Sequence, residues 1–188
     1  MLLPQTSGVL ENFWSKILTL PQKQWLLRQL EQQAKTEVGS IQLKYFASQH
    51  QFQSGSYHRV CDRLPNLLTV LQTRKGWVLG GFTDLPMGDR STPSACSFIF
   101  SVNRERVMPL KPGRTATQNE YSYGPVFGSE NDIRVDRDSV STNYHVLNAT
   151  YQRVEVEGVP NKEVLMGGML EDLVEYEVFE VGFNKPEE

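Results

Sequence analysis

The chain is short of most residue patterns that mark specialised small proteins. Only two of its 188 residues are cysteine, at positions 61 and 96. That excludes a secreted disulfide framework, and Cys61 and Cys96 are expected as reduced, semi-buried thiols. Histidine occurs three times, at 50, 58 and 145. His58 and Cys61 are one helical turn apart, but His50, Cys96 and His145 offer no matching pair for the three or four protein ligands of a zinc site. No metal or other cofactor is expected. No apolar run reaches the length of a transmembrane helix. The opening "MLLPQTSGVLENFW" lacks the basic region of a signal peptide and the arginines of an organellar presequence. A cytoplasmic location and no membrane insertion are expected. Neither charge sign dominates: 19 basic against 22 acidic residues give a net charge of −3. With no basic run of five or more, nucleic acid is not an expected partner. Repeats and low-complexity tracts are missing too.

What is present fits an ordinary globular chain. Apolar residues make up 39% and charged residues 22%, enough for one domain with its own core. Two periodicities divide it. In "SGVLENFWSKILTLPQKQWLLRQLEQQAK", Leu10, Phe13, Trp14, Ile17 and Leu18 recur at helical spacing, with Ser7 as the expected N-cap. Pro21 ends that helix and opens a second, capped by Thr19, with Trp25, Leu26, Leu27 and Leu30 on its apolar face and Gly39 as its expected stop. From there the period becomes two. "SIQLKYF", "LLTVLQT", "WVLGGFT", "CSFIFSV", "RVMPL", "YGPVFG", "DIRVD", "YHVLNATYQRVEVEG" and "EYEVFEVGF" read as strands, with "GSYHRVCDRL" as one or two helical turns capped by Ser54 or Ser56. The expected organisation is a helical arm over residues 1–39, a β-domain over 40–183 and a polar tail over 184–188. The fold class is mainly β: a two-sheet antiparallel sandwich with short flanking helices. The polar loop "DLPMGDRSTPSA" (84–95) is a candidate mobile or partner-contacting segment.

No arrangement of catalytic residues stands out. A Gly-x-Ser-x-Gly elbow is missing. Cys61 with His58 one turn before it forms a crude thiol–imidazole pair. The adjacent Asp62 disfavours a thiolate, so packing is the better reading for Cys61. "GSENDIRVDRD" is rich in carboxylates without the spacing of a calcium loop. The pair Gly80–Gly81 inside a strand marks a bulge or a close backbone approach. Phe13, Trp14 and Trp25 on the helical arm are candidate partner contacts, with packing on the chain's own sheet as the alternative.

Taken in order, the segments "SGSYHRVCD", "NLLTVLQT", "GWVLGGFT", "SFIFSV", "YGPVFGSENDI" and "LEDLVEYEVFEV" resemble the TLDc domain family over about residues 40 to 182. The matching positions are Cys61, Asp62, Gly80, Gly81, Gly124, Pro125, Phe127, Gly128, Asp132 and Glu177. The chain departs from the family pattern at Met87, where a large aromatic is usual. It departs again after Phe127, where only Gly128 remains of a glycine run, and at Asn131, where histidine is usual. Met87 joins the candidate partner contacts. The resemblance implies a sandwich of two antiparallel sheets flanked by short helices. It also implies roles in binding the V-type proton ATPase or in protection against oxidation, with no established catalytic cycle or cofactor. Two functions follow as expectations. One is a non-enzymatic interaction module, an accessory of a larger assembly. The other is a redox-protective protein or enzyme using Cys61. Asp132 is expected to fix the corner before Ile133 through turn hydrogen bonds.

Overall fold

The computed structural model describes residues 4–136, 141–143, 149–160, 163–168 and 170–184. His145 and the tail beyond Asn184 lie outside them. Among the described residues, three α-helices and one 3-10 helix (Ala47–His50) precede or interrupt ten strands: α1 (Pro4–Asn12), α2 (Leu20–Ala34), β1 (Val38–Phe46), α3 (Ser54–Cys61), β2 (Leu67–Thr73), β3 (Val78–Thr83), β4 (Phe98–Ser101), β5 (Arg106–Pro109), β6 (Thr117–Gln118), β7 (Val126–Phe127), β8 (Ile133–Val135), β9 (Ser141–Asn143) and β10 (Leu170–Phe183).

Every pairing is antiparallel, and the strands form two sheets that share β10. The first sheet runs β5-β4-β3-β2-β10-β1. The second runs β10-β9-β8-β7-β6. Residues 170–172 of β10 pair with β9, while its later residues pair with β2 on one side and β1 on the other. A register shift between Leu173 and Glu175 marks the point where the strand changes sheet, as expected of a bulge that re-aims a strand.

Alternation along β10 assigns its two faces. Tyr176 and Val178 enter the core between the sheets, with Leu71, Leu79, Ile99, Phe127, Ile133 and Val135. Phe179 and Val181 enter a second core on the opposite face of the first sheet, with Phe82, Phe98 and Phe100. The helical arm closes that second core. Phe13, Ile17, Leu18, Trp25, Leu26, Leu27 and Leu30 are all buried there. Each such side chain contributes about 1.5–3 kcal/mol of burial. The arm is therefore a third layer over the sheet.

The arm differs in detail from its sequence pattern. The first helix ends at Asn12, and residues 13–19 cross the sheet without helical structure. Ser7 lies inside α1, so it is not a cap. The helical spacing of Phe13, Ile17 and Leu18 instead serves an irregular segment, because burial against the sheet selects the same residue types as a helix face. The second helix starts as expected: Pro21 sits in its first turn, and the Gln22 side chain accepts the Thr19 N–H at 2.9 Å. It stops at a left-handed Lys35 (φ 55°), while Gly39 falls within β1. Gln53, neither Ser54 nor Ser56, occupies the N-cap position of α3, without a side-chain cap hydrogen bond.

Candidate functional site

The signature segments of the sequence meet in the core between the sheets. The turn "YGPVFGSENDIRV" is a β-hairpin: Val126 pairs with Arg134 and Phe127 with Ile133. Gly128 sits at the start of its turn with φ 86°, a left-handed conformation that suits glycine. A side chain at Gly128 would also collide with the Asp132 carboxylate. Gly124 lies against Val135, which returns a hydrogen bond to the Pro125 carbonyl at 3.1 Å. The ring of Phe127 lies over Gly81 of β3, where an added Cβ would come within 2.5 Å of the ring. Gly80, the preceding residue, faces the other way, where an added Cβ would collide first with the Thr69 backbone carbonyl of β2 and then meet Phe100 at 2.9 Å. The glycine pair thus admits the Phe127 ring on one face and the close approach of the β2 backbone on the other.

Asp132 is buried in the hairpin turn. Its Oδ1 accepts long hydrogen bonds from the backbone N–H of Thr150 and of Tyr151, both at 3.5 Å. Burial pushes its carboxyl above the usual range, against the pull of the Thr150 and Tyr151 hydrogen bonds. Asp132 therefore ties its turn to the segment after residue 149, beyond the local corner predicted for it. Tyr151 completes the tie by donating to the Ala116 carbonyl at 2.6 Å.

Cys61 is fully buried in the same core, packed among apolar neighbours. Burial, with Asp62 adding to it and Lys44 opposing, pushes its thiol up to about 12. Cys96 is also raised to about 12, by burial and then Asp84. Both sulfurs are protonated at neutral pH, and neither is disulfide-bonded. His58 does not face water as a lone helix-surface histidine would. It is buried, with Nδ1 2.7 Å from Asp62 Oδ1. Its Nε2 lies 2.8 Å from the Tyr123 carbonyl and 3.1 Å from that of Glu120. The ring also stacks on Tyr121 at 5.2 Å. The Asp62–His58 pair thus fastens α3 to the strand approach at 120–123, and Asp62 serves this contact more than it serves Cys61. Among the described residues no group of three or more histidine, cysteine or acidic side chains gathers as a metal site would.

Glu177 is placed on the other face of the first sheet, fully buried beneath the arm. It accepts a 2.5 Å hydrogen bond from the Ser15 hydroxyl and a 2.7 Å one from the Lys16 N–H. Ser15 Oγ in turn accepts the N–H groups of Ile17 and Leu18 at 3.1 and 3.0 Å. The irregular crossing of residues 13–19 is held by this one carboxylate. Burial raises the Glu177 carboxyl, with the Ser15 and Lys16 hydrogen bonds opposing.

Of the four candidate partner contacts, three are buried in the chain's own core. Phe13 meets Phe179 edge-on at 5.1 Å, Trp25 meets Phe100 at 6.3 Å, and Met87 packs in the cluster that holds Cys61 and Phe127. Apolar burial claims each of them, so they are no surface for a partner. Trp14 alone remains outside, 55% exposed, with its ring edge-on to Phe46 at 5.8 Å. It borders a cleft of about 530 Å³ lined by α1 and residues 39–43 of β1, an edge strand. The residues that sequence reasoning missed are Ser15 and Tyr151, and His58, weighed there only as a zinc ligand or a partner of the Cys61 thiol, has a different role. Each acts through a partner more than sixty or thirty positions away or through a backbone carbonyl, and no local pattern announces that. The loop 84–95 has neither helix nor strand, as expected, but Asp84 draws it in by accepting from the Ser94 hydroxyl at 2.5 Å and the Ala95 N–H at 2.7 Å.

No helix among the described residues is long and apolar enough to cross a membrane. A search of the curated proteins found no match. A scan against protein-family models matched the TLDc domain over residues 12–182, which takes in the crossing segment, α2 and every described strand up to Gly182. With the two-sheet sandwich and its signature segments packed on one another, that match settles the family: this chain is a member of the TLDc domain family.

Proposed function

We propose that this chain is a non-enzymatic interaction module, an accessory to a larger protein assembly, and that its arm-side face is the docking surface. The observation that carries this reading is Trp14. A tryptophan left 55% exposed beside a cleft of mixed polar and apolar lining at an edge strand is the kind of anchor that dominates interface energetics. The cleft is lined by Val9, Ile41 and Leu43 together with Asn12, Ser40 and Gln42, beside β1, which pairs with β10 on one side. Family membership favours a multi-subunit partner, with the V-type ATPase first among those the family resemblance implies, and a cytoplasmic setting. The protonated state of both thiols counts against the rival reading of Cys61 as a redox nucleophile.

Affinity capture from cell extract with wild type and Trp14→Ala, read by mass spectrometry, tests the proposal. A stable set of subunits recovered by wild type and lost with Trp14→Ala supports it. Recovery of the wild-type chain alone, or an unchanged set with the variant, overturns the assignment of this face. For the rival, peroxide consumption by pure wild type above buffer, abolished by Cys61→Ser, would restore it.

A further inference from the structure

We propose that Thr92 is a phosphorylation site for a proline-directed serine/threonine kinase, and that Arg90 and Arg114 receive the phosphate. Three hydroxyls crowd the tip of the loop 84–95, and two are already committed. Ser94 Oγ lies 2.5 Å from Asp84 Oδ1 and 2.7 Å from Ser97 Oγ. Ser91 is held by Asp89, which accepts its N–H at 2.7 Å and also a hydrogen bond from its side chain. Thr92 is exposed and makes no hydrogen bond among the described residues. Pro93 follows it and biases its backbone toward the extended conformation a kinase cleft accepts. No helix or strand has to open to present it.

The receiving charges are close at hand. Thr92, Arg90 and Arg114 line one cleft of about 220 Å³. Neither arginine forms an ion pair among the described residues. Asp89 is the acidic side chain in that lining. Its carboxyl is held below the usual range, first by the Ser91 N–H, so it is occupied by the loop's own backbone. In the transfer, the threonine Oγ attacks the γ-phosphorus of ATP. The bond from that phosphorus to the bridging oxygen breaks, ADP leaves, and the hydroxyl proton passes to the kinase's base. The product adds roughly −1.5 to −2 charge at neutral pH. Guanidinium groups bind phosphate oxygens in pairs, so the modified loop would be drawn onto the segment carrying Arg114. This cleft shares no lining residue with the one beside Trp14, and the inference stands or falls apart from the proposed function.

The test incubates the full chain with a proline-directed kinase and ATP, maps the site by peptide mass spectrometry, and titrates the product by phosphorus NMR. Expected are a single phosphoryl group on Thr92, no incorporation into Thr92→Ala, and a phosphate titration midpoint lower in wild type than in Arg90→Ala or Arg114→Ala. No incorporation, or incorporation on Ser91 or Ser94, overturns the site. A midpoint that neither arginine variant moves overturns the receiving role. All three substitutions are on exposed side chains, and matching melting temperatures establish that the variants are folded.

Discussion

Glu177 illustrates how one carboxylate can hold a non-repetitive segment in place. Its two oxygens take up the Ser15 hydroxyl and the Lys16 N–H, donors that the helix-free crossing does not pair within itself. Glu177→Ala should cost about 1–3 kcal/mol through those orphaned donors, and Glu177→Gln, which keeps an acceptor, should cost less. Chemical denaturation of both variants checks this. The pH dependence has a definite sign. Glu177 and Asp132 both have raised carboxyls, so the folded state favours their protonated forms. The stability they contribute is fully present below the ordinary carboxylate range and is lost as pH rises through their raised values. Melting curves from pH 7 down to about 5 should therefore show wild type gaining on the double variant Glu177→Gln/Asp132→Asn. A constant difference across that range would contradict the burial argument. Asp132→Ala should itself lower the melting temperature, since it releases the N–H groups of Thr150 and Tyr151. An unchanged melting temperature would count against its structural role.

At the scale of elements, the arm and the hairpin are held by aromatic insertion. Phe13 is buried edge-on against Phe179 in the second core. Phe13→Ala should destabilise the chain by about 3–5 kcal/mol and raise amide exchange in α2. Trp14→Ala, one residue on, should change stability little because its ring is mostly outside. That contrast within a dipeptide separates packing from docking. On the other face, Gly81→Val would push a side chain into the Phe127 ring. Overpacking of this kind costs about 1–3 kcal/mol, and loss of the near-ultraviolet aromatic signal would report the displaced ring. Most elements are legible in the sequence, but the run "YHVLNATYQRVEVEG", read there as a strand, has within its described residues 149–158 only isolated bridges at Tyr151 and Val156. The strands "LLTVLQT", "WVLGGFT", "CSFIFSV" and "RVMPL" and the start of α2 at Thr19–Pro21 all stand where turn chemistry and alternation put them. The first helix was misjudged beyond Asn12, because a periodic run of apolar residues describes burial on one side and says nothing by itself about backbone hydrogen bonds.

On the scale of the whole molecule, the arm is a layer of the domain rather than an appendage. Its apolar face covers the outer side of the first sheet, so the molecule has two cores divided by one sheet. Removing residues 1–37 should leave Phe82, Phe98, Phe100 and Phe179 uncovered. The truncated β-domain should aggregate or bind a hydrophobic dye, measured by light scattering and dye fluorescence. A truncated chain that stays monomeric with wild-type melting would show the arm to be dispensable. The same layering buries most of the large apolar side chains and leaves Trp14, Leu20, Tyr121 and Val174 exposed; of these only Trp14 borders the cleft beside β1.

The sequence alone determined the class of fold, the family and the scaffold role of "YGPVFGSENDI", because alternation, turn residues and glycine placement are local signals written over a few positions each. It also favours packing over reaction for Cys61, since the neighbouring Asp62 is a local feature too. Only the tertiary structure decided which aromatics face water, that His58 is buried against the carbonyls of 120 and 123, and that Glu177 reaches back to Ser15. Those outcomes depend on contacts between positions up to 162 residues apart. Which of several equally apolar side chains is covered is settled by the path of the chain across the sheet, and no window of the sequence contains that path.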